Sequence, residues 1–423
     1  MNFSSTYLAV TLMLAALCEV AQGRERANII VAVNGQGDYR TIQEAIDSVP
    51  AGNVEPVIIL VRNGEYNEKV FIQKSYISMV GENRDSTRIV LDVLREEWHK
   101  QGSGSDWGAG VVNIDTGVTD ITFANLTIYN NYGWKHGVFN KHQFAIRGAG
   151  TRIMLLHCNV MSDGGDAVSL WNKQNGMYYH ADCYFEGWVD FVCPRGWCYI
   201  TNSRFFGHNK SASLWHDGSG NKNQKFVITD SYFDGVPGFP LGRHHRDGQF
   251  YLVNCTFSSN MADKPIYLPV ESPNAREWVW GQRHYYHGCK REGGDFAWFA
   301  DNLHTAEHSP ELAGITAQWT FDGQWDPESN MPSVLPFAYL PTPKRRAKEI
   351  EKKSIRLTWV PGRNAIAHKV FFGTSTEPQY QAQTVTAGFE PGPLSARTIY
   401  YWRVDTVTED GDVPGELWSF TTK

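Results

Sequence analysis

Basic residues, long apolar runs, cysteine and tight hairpin turns are all in short supply in this chain, and each shortage removes a class of function. Lys and Arg number 39 against 45 Asp and Glu, for a net charge of −6. No Lys/Arg stripe stands out, and nucleic-acid binders gather cations on one face, so no nucleic-acid partner is expected. The apolar stretch Leu8 to Leu17 is too short for a transmembrane span, which needs about 20 such residues. With Ala21-Gln22-Gly23 after it, the stretch fits a secretory signal over residues 1–23 and implies export to the periplasm, the cell surface or the medium. Loss of that signal removes Cys18 from the seven cysteines and leaves six. An oxidising compartment permits disulfides, with Cys193 and Cys198 the nearest pair, but thiols inside strand patterns read equally well as small buried apolar groups. Asn-Gly and Asp-Gly turns are scarce in the middle of the chain, which argues against a sandwich of hairpins there.

Aromatic side chains are plentiful, with 15 Trp and 19 Tyr, and their faces serve both packed cores and stacking on sugar rings. A length of 423 residues exceeds what one core supports and predicts at least two domains. One phrase recurs through the middle: an apolar strand, a polar residue, a small or apolar residue, then another apolar strand. Its marker position falls at 126, 158, 183, 203, 231 and 255, in steps of 20 to 32 residues. Steps of that size suit the coils of a solenoid in which each rung buries its face on the next. The expected fold is therefore all-β: a right-handed parallel β-helix over residues 24–340, followed by a small β-sandwich. Thr41-Ile42-Gln43-Glu44 reads as a capping box opening a helix with Ile42, Ala45, Ile46 and Val49 on one face, placed to seal the end of the solenoid. Residues 341–353, rich in Pro, Lys and Arg, read as a linker. Alternating strands over residues 354–423 resemble a fibronectin type III-like sandwich, with a spacer as the simplest role.

Chemistry is signalled by Asp190, a carboxylate inside the apolar run from Tyr184 to Val192. A charge there shifts its pKa, finds a partner or does chemistry. Leu241-Gly242-Arg243 offers the partner, and Gly164-Gly165-Asp166 offers a second carboxylate.

Several blocks taken together resemble the pectin methylesterase family of carbohydrate esterases, over about residues 29 to 330. They are, in order, Gly64-Glu65-Tyr66-Asn67-Glu68, Gln143-Phe144-Ala145-Ile146, Gly165-Asp166, Gly187-Trp188-Val189-Asp190-Phe191-Val192, Leu241-Gly242-Arg243 and Gly323-Gln324-Trp325-Asp326-Pro327. The resemblance implies hydrolysis of galacturonate C6 methyl esters to pectate and methanol. Asp190 would be the nucleophile, held ionised by Arg243. Asp166, with a raised pKa, would be the acid and base, and Gln143 the oxyanion donor. No metal or other cofactor is implied. The partner is a pectin-type polysaccharide, and the protein is expected to be a monomer.

Departures from the family pattern shape the remaining expectations. Gly165 stands where the family carries a second Gln, so one donor is missing, and Asp163 is an alternative to Asp166. His244-His245 replace the Pro-Trp after L-G-R, so the sugar-packing Trp is lost, and an unusual or branched pectin is expected. Trp188, Trp197, His244, His245 and Tyr66 are the candidate substrate contacts. Other classes remain open: a non-catalytic pectin-binding β-helix, or a lyase or glycosidase on the same scaffold.

Overall fold

The computed structural model describes residues 28–217, 221–269, 278–308, 310–353 and 355–423. The expected signal, residues 1–23 with Cys18, lies outside the described residues. Among those residues, no helix is long and apolar enough to cross a membrane.

Parallel strands stack coil upon coil into a helix with three faces. The longest face is a ten-stranded sheet running from Asn28–Val31 to Arg283–His287. A nine-stranded sheet runs from Gly64–Tyr66 to Lys290–Arg291. The third face is interrupted: four strands, Val70–Ile72, Gly110–Ile114, Phe144–Gly148 and Val168–Leu170, and then a pair, Leu214–Trp215 with Gly242–Arg243. A single bridge on each side of Val192, to Val168 and to Leu214, carries the face across the interruption.

The recurring sequence phrase is the corner between the first two faces. Asn125, His157, Asp182, Asn202, Asp230 and Asn254 all have φ between 52° and 58°. Asn and Asp enter this left-handed region more easily than other non-glycine residues, so the chain turns sharply without glycine. The next residue points inward at each corner: Leu126, Cys158, Cys183, Ser203, Ser231 and Cys255 are all buried. Here the small side chains interlock, with the Cys183 amide donating to Ser203 Oγ (3.1 Å) and the Ser203 amide to Ser231 Oγ (3.0 Å). One strand further in, Phe185, Phe205, Phe233 and Phe257 form a continuous column with neighbouring centroids 4.3–5.5 Å apart.

The six described cysteines are free and buried, Cys193 and Cys198 included. The capping box forms as expected, and the helix Ile42–Ser48 buries Ile42, Ala45 and Ile46. Glu68 adds to the cap by accepting from the amides of Ile42 (2.8 Å) and Gln43 (2.9 Å).

Beyond Arg291 the chain folds back over the ten-stranded sheet. Leu303, Ile315, Phe321, Val334, Leu335 and Tyr339 pack there against Tyr179, Trp197, Tyr199 and Tyr251. Residues 341–353, read as a linker, instead supply strand: Tyr339–Thr342 pairs antiparallel with Leu357–Val360, and Ala347–Ile350 pairs with Trp418–Thr422. Two sheets of mostly antiparallel strands complete the C-terminal region around Trp359, Trp402 and Trp418. Open edges of those sheets recruit the preceding segment, since a strand satisfies backbone groups that a solvated linker would leave to water.

Candidate active site

The interruption of the third face creates the site. Asp166 and Asp190 each precede a short stretch of that face by two residues, and the two stretches meet at the Val168–Val192 bridge. The carboxylates therefore occupy equivalent places on adjacent coils. Both residues are left-handed, with φ of 61° and 49°, a conformation that Asp tolerates better than most. Their amides are held by the next coil, Asp166 N to Val189 O (3.0 Å) and Asp190 N to Ala212 O (2.7 Å). Arg243 reaches back from a later coil and grips Asp190 with two nitrogens: Nε lies 3.1 and 3.2 Å from the two carboxylate oxygens and Nη2 lies 2.8 Å from Oδ2.

These groups open on a cavity of about 300 Å³, lined by Arg95, His142, Asp166, Trp171, Asp190, Arg195, Trp215, Arg243 and His245. One wall is a column of alternating guanidinium and indole groups. Arg147 lies 4.1 Å from the Trp171 ring centroid, and Arg195 is held between Trp171 (3.1 Å) and Trp215 (4.4 Å). Asp106 pairs with Arg95 and Arg147, while Asp217 lies 3.0 Å from Arg195 Nε. The arginines are thus fixed in place and already balanced by acids outside the cavity.

Burial dominates the electrostatics. Asp166 is 3% exposed and Asp190 4%. Loss of water pushes the Asp190 carboxyl up to about 7; the Arg243 guanidinium opposes this, and the Asp166 charge adds to it. Desolvation of the nearly enclosed carboxylate thus works against the two-pronged cation that was expected to hold Asp190 ionised. Asp166 is also raised by burial, against the opposing influence of His142, its Cys193 contact at 3.4 Å, and Arg195 and Arg147. Beside them, burial and the Arg243 charge push the His245 imidazole down to about 4, so it is neutral near pH 7.

The structure brings together Asp166, Asp190, Arg243 and His245, but not the other candidates. Gln143 points inward with its amide committed to backbone: Nε2 donates to Val138 O (2.6 Å), and Oε1 accepts from Gly133 N (3.0 Å). His142, its neighbour, lines the cavity instead. Tyr66 is buried in the core, its hydroxyl donating to Arg62 O (2.9 Å). Trp197 is buried beneath the returning C-terminal segment, because strand alternation turns it to the outer side of the long sheet. His244 is buried beside His284 (Nε2 to Nε2, 3.2 Å) and stacks on Trp278. Trp188 is half-buried, outside the cavity lining, with His208 and Phe139 against its ring. Asp163 accepts from Tyr129 Oη (2.8 Å) and from Trp134 N (2.6 Å), a structural role away from Asp166. Sequence reasoning missed His142, Arg195, Trp171 and Trp215. A signal for the two tryptophans was present in the repeated Ser-Leu-Trp of Ser169-Leu170-Trp171 and Ser213-Leu214-Trp215.

Comparison with known proteins bears on this arrangement. Residues 28–225 match the family model described as Pectinesterase. Pectinesterase A of Dickeya dadantii (strain 3937) is 29% identical over 262 residues, which are 56% of this chain and 71% of that protein. A probable pectinesterase/pectinesterase inhibitor 58 of Arabidopsis thaliana is 26% identical over 265 residues, and the chain spans only 38% of its length. Among solved structures, the pectin methylesterase from carrot aligns with a TM-score of 0.54 at 19% identity, covering 73% of this chain and 98% of the carrot chain. PemA from Erwinia chrysanthemi gives the same score and identity over 71% and 98%. At that identity the structural likeness speaks for the β-helix fold alone. Over residues 28–225, the chain is similar to the pectinesterase family.

Proposed function

We propose that the protein is a carboxylic ester hydrolase that removes methyl esters from the C6 carboxyl of galacturonate in pectin, giving pectate and methanol. The observation that carries this reading is the Asp190 carboxylate gripped by Arg243 and facing the same cavity as a second acid, Asp166. Ionised Asp190 attacks the ester carbonyl, and Arg243 keeps its oxygens oriented. Asp166, whose carboxyl burial pushes up, donates a proton in its protonated form to departing methanol. Water then enters, gives a proton back to Asp166, and splits the Asp190 anhydride. Each residue ends as it began.

The absence of a tryptophan directly after Arg243, with Trp171, Trp215 and His245 lining the cavity, favours a branched or otherwise unusual pectin. Export, action as a monomer and a fibronectin type III-like spacer over residues 354–423 belong to the same reading. The deciding experiment is methanol release from highly methylated pectin. Wild type should release methanol, and Asp190→Asn should lose it by roughly 10³-fold or more while still folding. New reducing ends or unsaturated products in place of methanol would overturn the proposal.

A further inference from the structure

The esterase reading leaves one need unmet, a donor for the oxyanion. Gly165 has no side chain, and Gln143 is committed to the backbone of Gly133 and Val138. Gln143 also has no room to turn: a Cβ on Gly164 would come within 2.8 Å of its Cγ and Cδ, so the two are closely packed. The cations around the cavity are spoken for. Arg243 holds Asp190, Arg195 is clamped between two indoles beside Asp217, and Arg95 lies 2.6 Å from Asp106. His245 stands edge-on against Trp215, with centroids 4.9 Å apart.

His142 is different. It precedes the strand Phe144–Gly148, bridges to Gly165, and lines the cavity that holds both carboxylates. Alternation along the strand sends Gln143 inward and His142 outward, so an imidazole stands where the amide was expected. The helix Arg95–Trp98 sits directly on it: Arg95 N donates to His142 O (3.1 Å), and Glu96 Oε1 lies 3.5 Å from His142 Nδ1. Among the described residues, no partner is recorded for Nε2. The ring is thus tethered on one side and uncommitted on the other.

We propose that His142, through its Nε2–H, donates the hydrogen bond that stabilises the oxyanion formed when Asp190 attacks the ester carbonyl. As the Asp190 oxygen bonds to the carbonyl carbon, the C=O π pair moves onto oxygen and is met by that N–H. When the C=O bond re-forms, the C–OCH3 bond breaks and methoxide takes the proton of Asp166. His142 donates from both ring nitrogens, Nδ1–H toward Glu96 and Nε2–H toward the oxyanion, and keeps both protons throughout.

The inference rests on the esterase reading, and the test separates the two. Methanol release is measured for wild type, His142→Ala and His142→Gln from pH 6 to 9, with kcat and KM resolved and Tm recorded. The expected result is a fall in kcat of about 10²-fold for His142→Ala, with KM within about threefold and Tm unchanged. His142→Gln should recover at least about tenfold over the alanine variant, because a neutral amide also donates. A His142→Ala enzyme that keeps kcat within about twofold, or a Gln variant no better than Ala, would overturn the role while leaving the esterase reading intact. Absence of methanol from the wild type would overturn both.

Discussion

Asp190 is where burial and charge compete most directly, and the outcome fixes a pH dependence. Only the carboxylate is nucleophilic, and burial has moved its midpoint to about 7. Activity should therefore rise with pH through about 7, dropping close to tenfold per unit below it, as a pH-rate profile of kcat/KM on methylated pectin would reveal. Asp166 works in the opposite sense: it must stay protonated, so its raised value limits the alkaline side. Arg243→Ala removes the one strong influence that lowers Asp190, so its rising limb should move to higher pH. An unmoved limb would mean that another group titrates there. The pairing of Asp190 with Arg243 was legible in the sequence because a charge in an apolar strand demands a partner. The choice between Gln143 and His142 was not legible, since adjacent strand residues face opposite ways and one position of register decides which meets the cavity.

The coil corner is the element that makes the solenoid regular. Its rule is a left-handed Asn, Asp or His followed by a residue that fits inside, and it was visible as a repeat because every coil needs the same turn. Ser203 is the middle of the interlocked corner, accepting from Cys183 N while its own amide donates to Ser231 Oγ. Ser203→Val should leave the buried Cys183 amide without its acceptor and cost about 1–3 kcal/mol, read as a lower midpoint in denaturant at an unchanged slope. Ser203→Cys should cost less, because the same corner already carries Cys158, Cys183 and Cys255 on other coils. Equal losses for the two would show that side-chain volume, not hydrogen bonding, sets the corner. The free thiols of Cys158, Cys183 and Cys255 follow from the same geometry: inside the coils they are packing groups.

Across the whole molecule, the cavity is built from residues 95 to 245, while the segment leading into the C-terminal sheets packs on the ten-stranded sheet. Lys344 Nζ donates to Tyr199 Oη (2.8 Å), and Arg345 pairs with Asp182 (3.3 Å), so the contact is polar as well as apolar. A chain ending at residue 340 should keep kcat within about twofold. Its Tm should fall by several degrees as Tyr199 and its neighbours lose cover, at roughly 2–4 °C per kcal/mol for a body of this size. Both are measurable by methanol assay and thermal melting. A large loss of kcat with unchanged Tm would instead give the C-terminal region a part in substrate handling.

Local chemistry was enough to specify the coils, the capped helix at their end and the ion pair at the site, because each depends on near neighbours or on a repeat that returns every 20 to 32 residues. Folding alone decided which side chains share the cavity. Arg95, His142, Trp171, Arg195 and Trp215 are far apart along the chain and meet only because successive coils stack them. The protonation of Asp190 was settled the same way, since the water excluded from a carboxylate depends on everything packed around it.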